Sequence, residues 1–136
     1  MPDALDVPVA GGTLRVAAWS GTGTPVLAVH GITSSSRTWP FVADALDRPV
    51  FAPDLRGRGR SNGLPGPAGI ARHAEDCAAV VEATGGVPLI VVGHSMGGFV
   101  ATVLAARRPD LVRGLVLVDG GLPFPAADEE ATFAGL

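Results

Sequence analysis

The sequence predicts an α/β domain: a predominantly parallel sheet with helices on both faces. Two observations carry this expectation. Three short runs, Val26-Leu27-Ala28-Val29, Leu89-Ile90-Val91-Val92 and Leu115-Val116-Leu117-Val118, are apolar at every position, as strands buried on both faces are. Between them lie stretches whose apolar residues recur at helical spacing, so strands and helices alternate. With 136 residues, 47% hydrophobic and only 17% charged, the chain is one domain or part of one, and its composition is not that of a disordered protein.

In chain order, residues 7–10 and 14–19 read as two strands, and Gly-Thr-Gly-Thr-Pro at 21–25 breaks the chain. The first fully apolar run follows and leads into His30-Gly31 and three serines, Ser34, Ser35 and Ser36, suited to a loop and a helix start. Trp39-Pro40 opens a helix to Leu46, with Phe41, Val42, Ala45 and Leu46 spaced as one apolar face. Val50-Phe51-Ala52 is the next strand. A loop rich in Gly, Pro and Arg spans 55–69, and Ile70, Ala74, Cys77, Ala78 and Val81 then mark a helix stopped by Gly85-Gly86. After the second apolar run, Met96, Val100, Val103 and Leu104 mark a helix ending before Pro109. The third run closes the series with Asp119 at its carboxyl end, and residues 120–136 show no clear period. Trp39, Phe41 and Phe99 sit beside helix stripes and read as core, with pocket lining as the alternative.

Composition removes several function classes. All ten basic residues are arginine, so neither a P-loop lysine nor a lysine Schiff base exists in this chain. One cysteine, Cys77, forms no internal disulfide, and with His30, His73 and His94 it matches no zinc spacing, so no metal site and no cofactor are expected. A net charge of −3 gives no pull toward nucleic acid or anionic membrane, and no apolar run approaches the ~20 residues of a membrane span. The start of the sequence is acidic where a signal peptide is basic. The expectation is a soluble, cytoplasmic protein acting on a small molecule.

On a parallel sheet, ligands bind beyond the carboxyl ends of the strands, which places His30-Gly31, Asp54, Ser95 and Asp119 along one rim. Gly93-His94-Ser95-Met96-Gly97 satisfies G-x-S-x-G between an apolar strand and an amphipathic helix. In such a turn the serine hydroxyl is lifted above the sheet edge, and small residues two positions either side let backbone pass closely. A capping serine alone does not require glycine on both sides. The start of the following helix supplies backbone N–H groups able to stabilise an oxyanion, Met96 N–H first among them.

Three motifs in fixed order give the chain a resemblance to the α/β-hydrolase family in its serine-nucleophile branch. Val29-His30-Gly31-Ile32 looks like the family's strand and H-G-x oxyanion loop, with Ile32 N–H as the second donor and His30 fixing backbone. Asp54-Leu55-Arg56-Gly57-Arg58-Gly59-Arg60-Ser61 looks like its D-x-R-G-x-G-x-S loop, and Ser95 stands at the nucleophile elbow. The resemblance covers about residues 7–119. It implies hydrolysis of an ester-like small molecule through an acyl-serine intermediate, with His30, Gly31, Asp54, Gly93, His94 and Gly97 supporting the motifs. Serine at the elbow argues against the dehalogenase and epoxide-hydrolase branches, which use aspartate there.

The family order is Ser, then Asp or Glu, then His, yet residues 96–136 contain no histidine. His94 adjoins the serine, but neighbouring side chains on a tight turn point apart. Asp119 is a candidate acid or a turn residue. The resemblance therefore implies residues 1–119 as the N-terminal part of a hydrolase domain whose sheet is truncated after its sixth strand, with 120–136 beginning a lid or connecting segment. The strand at 115–118 is then an open edge for self-association or a complementing chain. Alternatives are a non-catalytic remnant or binding module, a cofactor-free peroxidase-like protein, or a C–C hydrolase.

Overall fold

The computed structural model describes residues 1–65 and 68–122. Six strands, β1 (Asp3–Val9), β2 (Gly12–Trp19), β3 (Val26–Val29), β4 (Val50–Pro53), β5 (Leu89–His94) and β6 (Val112–Val118), form one sheet in the order β1-β2-β4-β3-β5-β6. Helices α1 (Pro40–Leu46), α2 (Gly69–Ala83) and α3 (Met96–Arg107) join the strands from β3 onward. β1, β2 and β4 pair antiparallel, whereas β4, β3, β5 and β6 are parallel. The parallel part carries the rim on which the motifs lie.

β3 shows why a wholly apolar run makes a central strand. Its successive side chains point to opposite faces: Leu27 and Val29 enter a core with α2 and α3, while Val26 and Ala28 enter a second core under α1. In the first of these cores Leu27, Leu89 and Leu104 are each at most 1% exposed. Burial of that order contributes about 1.5–3 kcal/mol per side chain. On α2 the buried residues are His73, Ala74, Asp76, Cys77, Ala78, Val80 and Val81. From β3 the chain crosses through α1 to β4 on one side and returns through α2 to β5 on the other. This reversal makes the carboxyl ends of β3 and β5 the switch point of the strand order, where a doubly wound sheet places its site.

Local expectations are corrected at α1 and at the starts of two strands. On α1, Phe41 is 89% exposed and Val42, Ala45 and Leu46 are exposed too. The buried contact is instead Ala43 with Trp39, seated on Val26, Ala28, Val50 and Ala52. A seven-residue helix makes barely two turns, so several faces fit an apolar stripe, and the bulk of Trp39 selects the docked one. Phe41 is thus not core, whereas Trp39 is buried and Phe99 half-buried. β6 begins at Val112, earlier than its apolar run, because Gly114 and its neighbours pair with β5 across an irregular register at Leu89 and Ile90. The first strand likewise begins at Asp3, and β1 turns into β2 through Ala10 and Gly11, whose φ is +87°.

The sheet ends at β6 among the described residues, and there Leu115, Val116 and Val118 are 38%, 48% and 44% exposed. No helix among the described residues is long and apolar enough to cross a membrane.

Candidate active site

β5 ends at His94 and α3 begins at Met96, leaving Ser95 alone between strand and helix with φ 54° and ψ −119°. A non-glycine residue in such a conformation stores about 1–3 kcal/mol, so its surroundings must hold it. Ser95 N–H donates to the Val118 carbonyl at 2.9 Å, and Gly98 N–H donates to the Ser95 carbonyl at 2.9 Å. The flanking glycines answer a packing demand: a Cβ on Gly93 would overlap the Gly97 carbonyl, and one on Gly97 the Val29 carbonyl. The Ser95 hydroxyl makes no capping bond to α3. Its geometry is that of a presented hydroxyl on a turn locked by backbone contacts.

Beside it runs the loop after β3. A Cβ on Gly31 would stand 3.4 Å from the Ser95 Cβ, which brings the Gly31–Ile32 peptide to the serine. His30 is fully buried and bonds on both ring nitrogens: Leu55 N–H donates to Nε2 at 3.0 Å, and Nδ1 lies 2.7 Å from the Gly31 carbonyl. An amide can only donate, so Nε2 is the unprotonated nitrogen and Nδ1–H donates to Gly31. Burial pushes the His30 pKa below the ordinary imidazole value, against the opposing effects of the Gly31 bond and Asp54, and this keeps the acceptor on Nε2. The Gly31 carbonyl and the Ile32 N–H belong to one planar peptide and point oppositely. By holding the carbonyl, His30 aims the amide. Neither Ile32 N–H nor Met96 N–H donates to an acceptor among the described residues, and Met96 heads a helix whose first amides lack intrahelical partners.

The loop from Asp54 to Ser61 is a brace. Asp54 accepts Ser36 N–H at 2.7 Å on one oxygen and Arg60 N–H at 2.9 Å on the other, tying the loop after β3 to the loop after β4. Gly59 has φ +49°, and a Cβ there would meet the Asp54 carboxylate at 2.7 Å. Arg56 grips Asp76 of α2 with two bonds of 2.9 Å and donates to the Ala10 carbonyl at 2.7 Å. The Arg56–Asp76 pair is almost fully buried, so deleting either partner would leave an uncompensated charge at a cost of about 3–5 kcal/mol. Ser61 closes the motif by accepting Arg15 N–H at 2.9 Å. The motif's residue types point to bracing without saying what is braced; the partners lie up to 46 residues away.

The other titratable residues are placed as follows. His73 is buried on α2 beside Arg58, far in sequence from the elbow. His94 packs against the Gly31 loop, and its buried Nδ1 has no partner among the described residues. No histidine bonds to the Ser95 hydroxyl among the described residues. Asp119 follows β6 with φ 53° and an exposed side chain, and the adjoining Gly120 packs so tightly on Ser95 that a Cβ would overlap the serine carbonyl. Cys77 is buried and its thiol pushed up by desolvation, which leaves it inert. No group of three or more metal-ligating side chains occurs among the described residues. Of the lid or connecting segment expected at 120–136, residues 123–136 lie outside the described residues.

Compared with known proteins, residues 24–135 match the family model for the alpha/beta hydrolase fold. The chain belongs to the α/β-hydrolase family. Among curated proteins, lipase LipV of Mycobacterium tuberculosis is 46% identical over 95 residues, covering 69% of this chain and 36% of the lipase. An esterase of the same organism is 36% identical over 115 residues, covering 82% and 38%. Among solved structures, a thermophilic esterase from Thermogutta terrifontis superposes with a TM-score of 0.75 at 33% identity, over 85% of this chain and 44% of the esterase. The chain thus spans a little over a third of the length of these curated hydrolases.

Proposed function

We propose that this α/β-hydrolase chain carries the nucleophilic half of an acyl-ester hydrolase site: Ser95 attacks the carbonyl, and the Ile32 and Met96 N–H groups receive the oxyanion. The observation that carries this reading is a strained serine whose hydroxyl caps nothing, beside two amides left without acceptors among the described residues. Similarity to proteins named lipase and esterase supports the ester class. Serine at the elbow weighs against epoxide opening by an elbow carboxylate. His30, Gly31, Asp54, Gly93, His94 and Gly97 hold this arrangement rather than react. For Asp119 the left-handed backbone favours a turn role over that of catalytic acid, since short polar side chains tolerate that region.

The chain contains no histidine after Ser95, and His30 and His73 are engaged elsewhere. A serine hydroxyl without a base is a weak nucleophile at neutral pH, so this chain alone turns over activated esters poorly and full activity needs an imidazole from outside it. The same observation favours, as a second reading, a non-catalytic module. Single-turnover acylation by p-nitrophenyl acetate separates the two. A slow acyl transfer that disappears in Ser95→Ala and rises with added imidazole supports the nucleophile; identical traces for both proteins support the module. Vigorous multiple turnover by the unaided chain would contradict the absence of a base. The exposed edge at β6 is proposed as the surface for self-association or a complementing chain.

A further inference from the structure

Arg58 fills a position that the D-x-R-G-x-G-x-S pattern leaves open, and nothing in that pattern asks for a cation there. Its side chain nevertheless reaches back across 26 residues: Nε donates to the Ile32 carbonyl at 3.0 Å. Nη1 donates to the Arg56 carbonyl at 3.1 Å and lies 3.2 Å from His73 Nε2. A guanidinium cannot accept, so His73 must, and α2 thereby supports the guanidinium from behind. The planar fork makes these bonds at fixed angles to one another, which an ammonium cannot do.

The consequence falls on Ile32. His30 holds the peptide before this residue through the Gly31 carbonyl, and Arg58 holds the peptide after it through the Ile32 carbonyl. With both flanking peptide planes pinned, the φ and ψ of Ile32 have no freedom to turn its N–H away from Ser95. Ile32 itself is exposed at 40%, so side-chain packing does not supply this rigidity. We propose that Arg58 is a positioning residue for the oxyanion donor: a strut from His73 on α2 to the Ile32 carbonyl that keeps the Ile32 amide aimed at the reacting carbonyl. This rests on Ser95 being the nucleophile. It differs from the Asp54 brace in acting on the donor residue itself rather than on the loop four residues beyond it.

The test combines two readouts on the 136-residue chain with Arg58→Ala, Arg58→Lys and, as a charge-matched control on the same loop, Arg60→Ala, whose side chain bonds to nothing among the described residues. Saturable labelling of Ser95 by a fluorophosphonate, with added imidazole as base, gives a maximal rate and a half-saturation concentration. Hydrogen exchange of a peptide covering residues 30–37 gives the order of the loop, through the Ser34 and Ser36 amides bonded to the Gly31 carbonyl and Asp54. Arg58→Ala is expected to lower the maximal rate about 10- to 100-fold, less than or equal to the loss of a whole oxyanion donor, with half-saturation little changed and exchange accelerated. Arg58→Lys recovers part of the rate, and Arg60→Ala matches wild type in both readouts. Unchanged exchange in Arg58→Ala overturns the strut. Faster exchange with an unchanged maximal rate, a shift in half-saturation alone, or an equal loss in Arg60→Ala overturns its role in aiming the donor. Absence of Ser95-dependent labelling in wild type overturns the nucleophile assignment, and with it the catalytic purpose of the strut, while exchange still reports whether Arg58 orders the loop.

Discussion

The whole of β3, Val-Leu-Ala-Val, and the last four residues of β6, Leu-Val-Leu-Val, are nearly alike in composition and meet opposite fates. Every residue of β3 is at most 3% exposed, whereas three of the four in the β6 run are 38–48% exposed. β3 lies between β4 and β5 with a helix layer on each face, and β6 has one neighbour among the described residues. An apolar run thus specifies a strand that requires cover, while position in the sheet decides whether the cover is there. The carboxyl ends differ similarly: β3 delivers a buried, doubly bonded His30, and β6 an exposed Asp119.

The largest expected effect comes from intruding on the contact between β3 and the elbow. Gly97→Ala drives a methyl into the Val29 and His30 carbonyls, which are backbone atoms and cannot swing aside, and it is expected to abolish cooperative unfolding or lower stability by more than about 4 kcal/mol. On β6, a methyl added at Gly114 would have nothing within 4 Å of it, so Gly114→Ala should stay within about 0.5 kcal/mol. Urea unfolding followed by circular dichroism reads both, and equal losses would break the comparison.

Next in size, Leu27→Ala empties a site at 0% exposure and should cost about 2–5 kcal/mol. Leu115→Ala on the open strand should cost under half as much, in the same urea titration.

A smaller effect, visible only with pH, belongs to the rim of β3. Burial lowers the folded-state pKa of His30, with Arg58 and His73 adding to this and Gly31 and Asp54 opposing it. As pH falls, the unfolded chain therefore takes up this proton first. The contribution is fully present above the unfolded value of about 6.5 and is lost as pH falls from there through the lower folded value. The urea midpoint should decline as the solution is taken from neutral into mild acid, and His30→Asn should flatten that slope while lowering stability at neutral pH. A slope unchanged by the substitution would remove His30 as its source.

The smallest effect on stability is expected at Val116, 48% exposed on the open strand. Val116→Lys should change the unfolding free energy by about 0.5 kcal/mol or less and reduce concentration-dependent light scattering. Unaltered scattering would acquit this edge of driving association.

The alternation of elements, the rim and the elbow were legible in the sequence because each rests on local spacing: apolar runs of strand length, helical stripes, and glycines two positions either side of Ser95. The face of α1 was not legible. Its apolar residues surround a helix too short to have a period, and Trp39, outside the helix, chooses the side. The start of β6 was hidden because Arg113 and Gly114 break the apolar pattern, and only pairing with β5 makes them strand. At the site, the positions of the motifs could be read but not their partners. Arg56 with Asp76, Arg58 with Ile32 and Asp54 with Ser36 are long-range bonds, and three arginines separated by glycines look alike until the fold gives Arg56 a carboxylate and Arg58 a backbone carbonyl.

The seat of Trp39 also decides what light can report about this molecule. The chain has two tryptophans and no tyrosine, and both, Trp39 and Trp19, belong to the core under α1. Intrinsic fluorescence excited at the indole band therefore watches one side of the sheet only. Loosening of α2 and α3 that spared the α1 side would leave emission largely unchanged, so agreement between fluorescence and backbone circular dichroism is a direct measure of whether the two faces melt as one body.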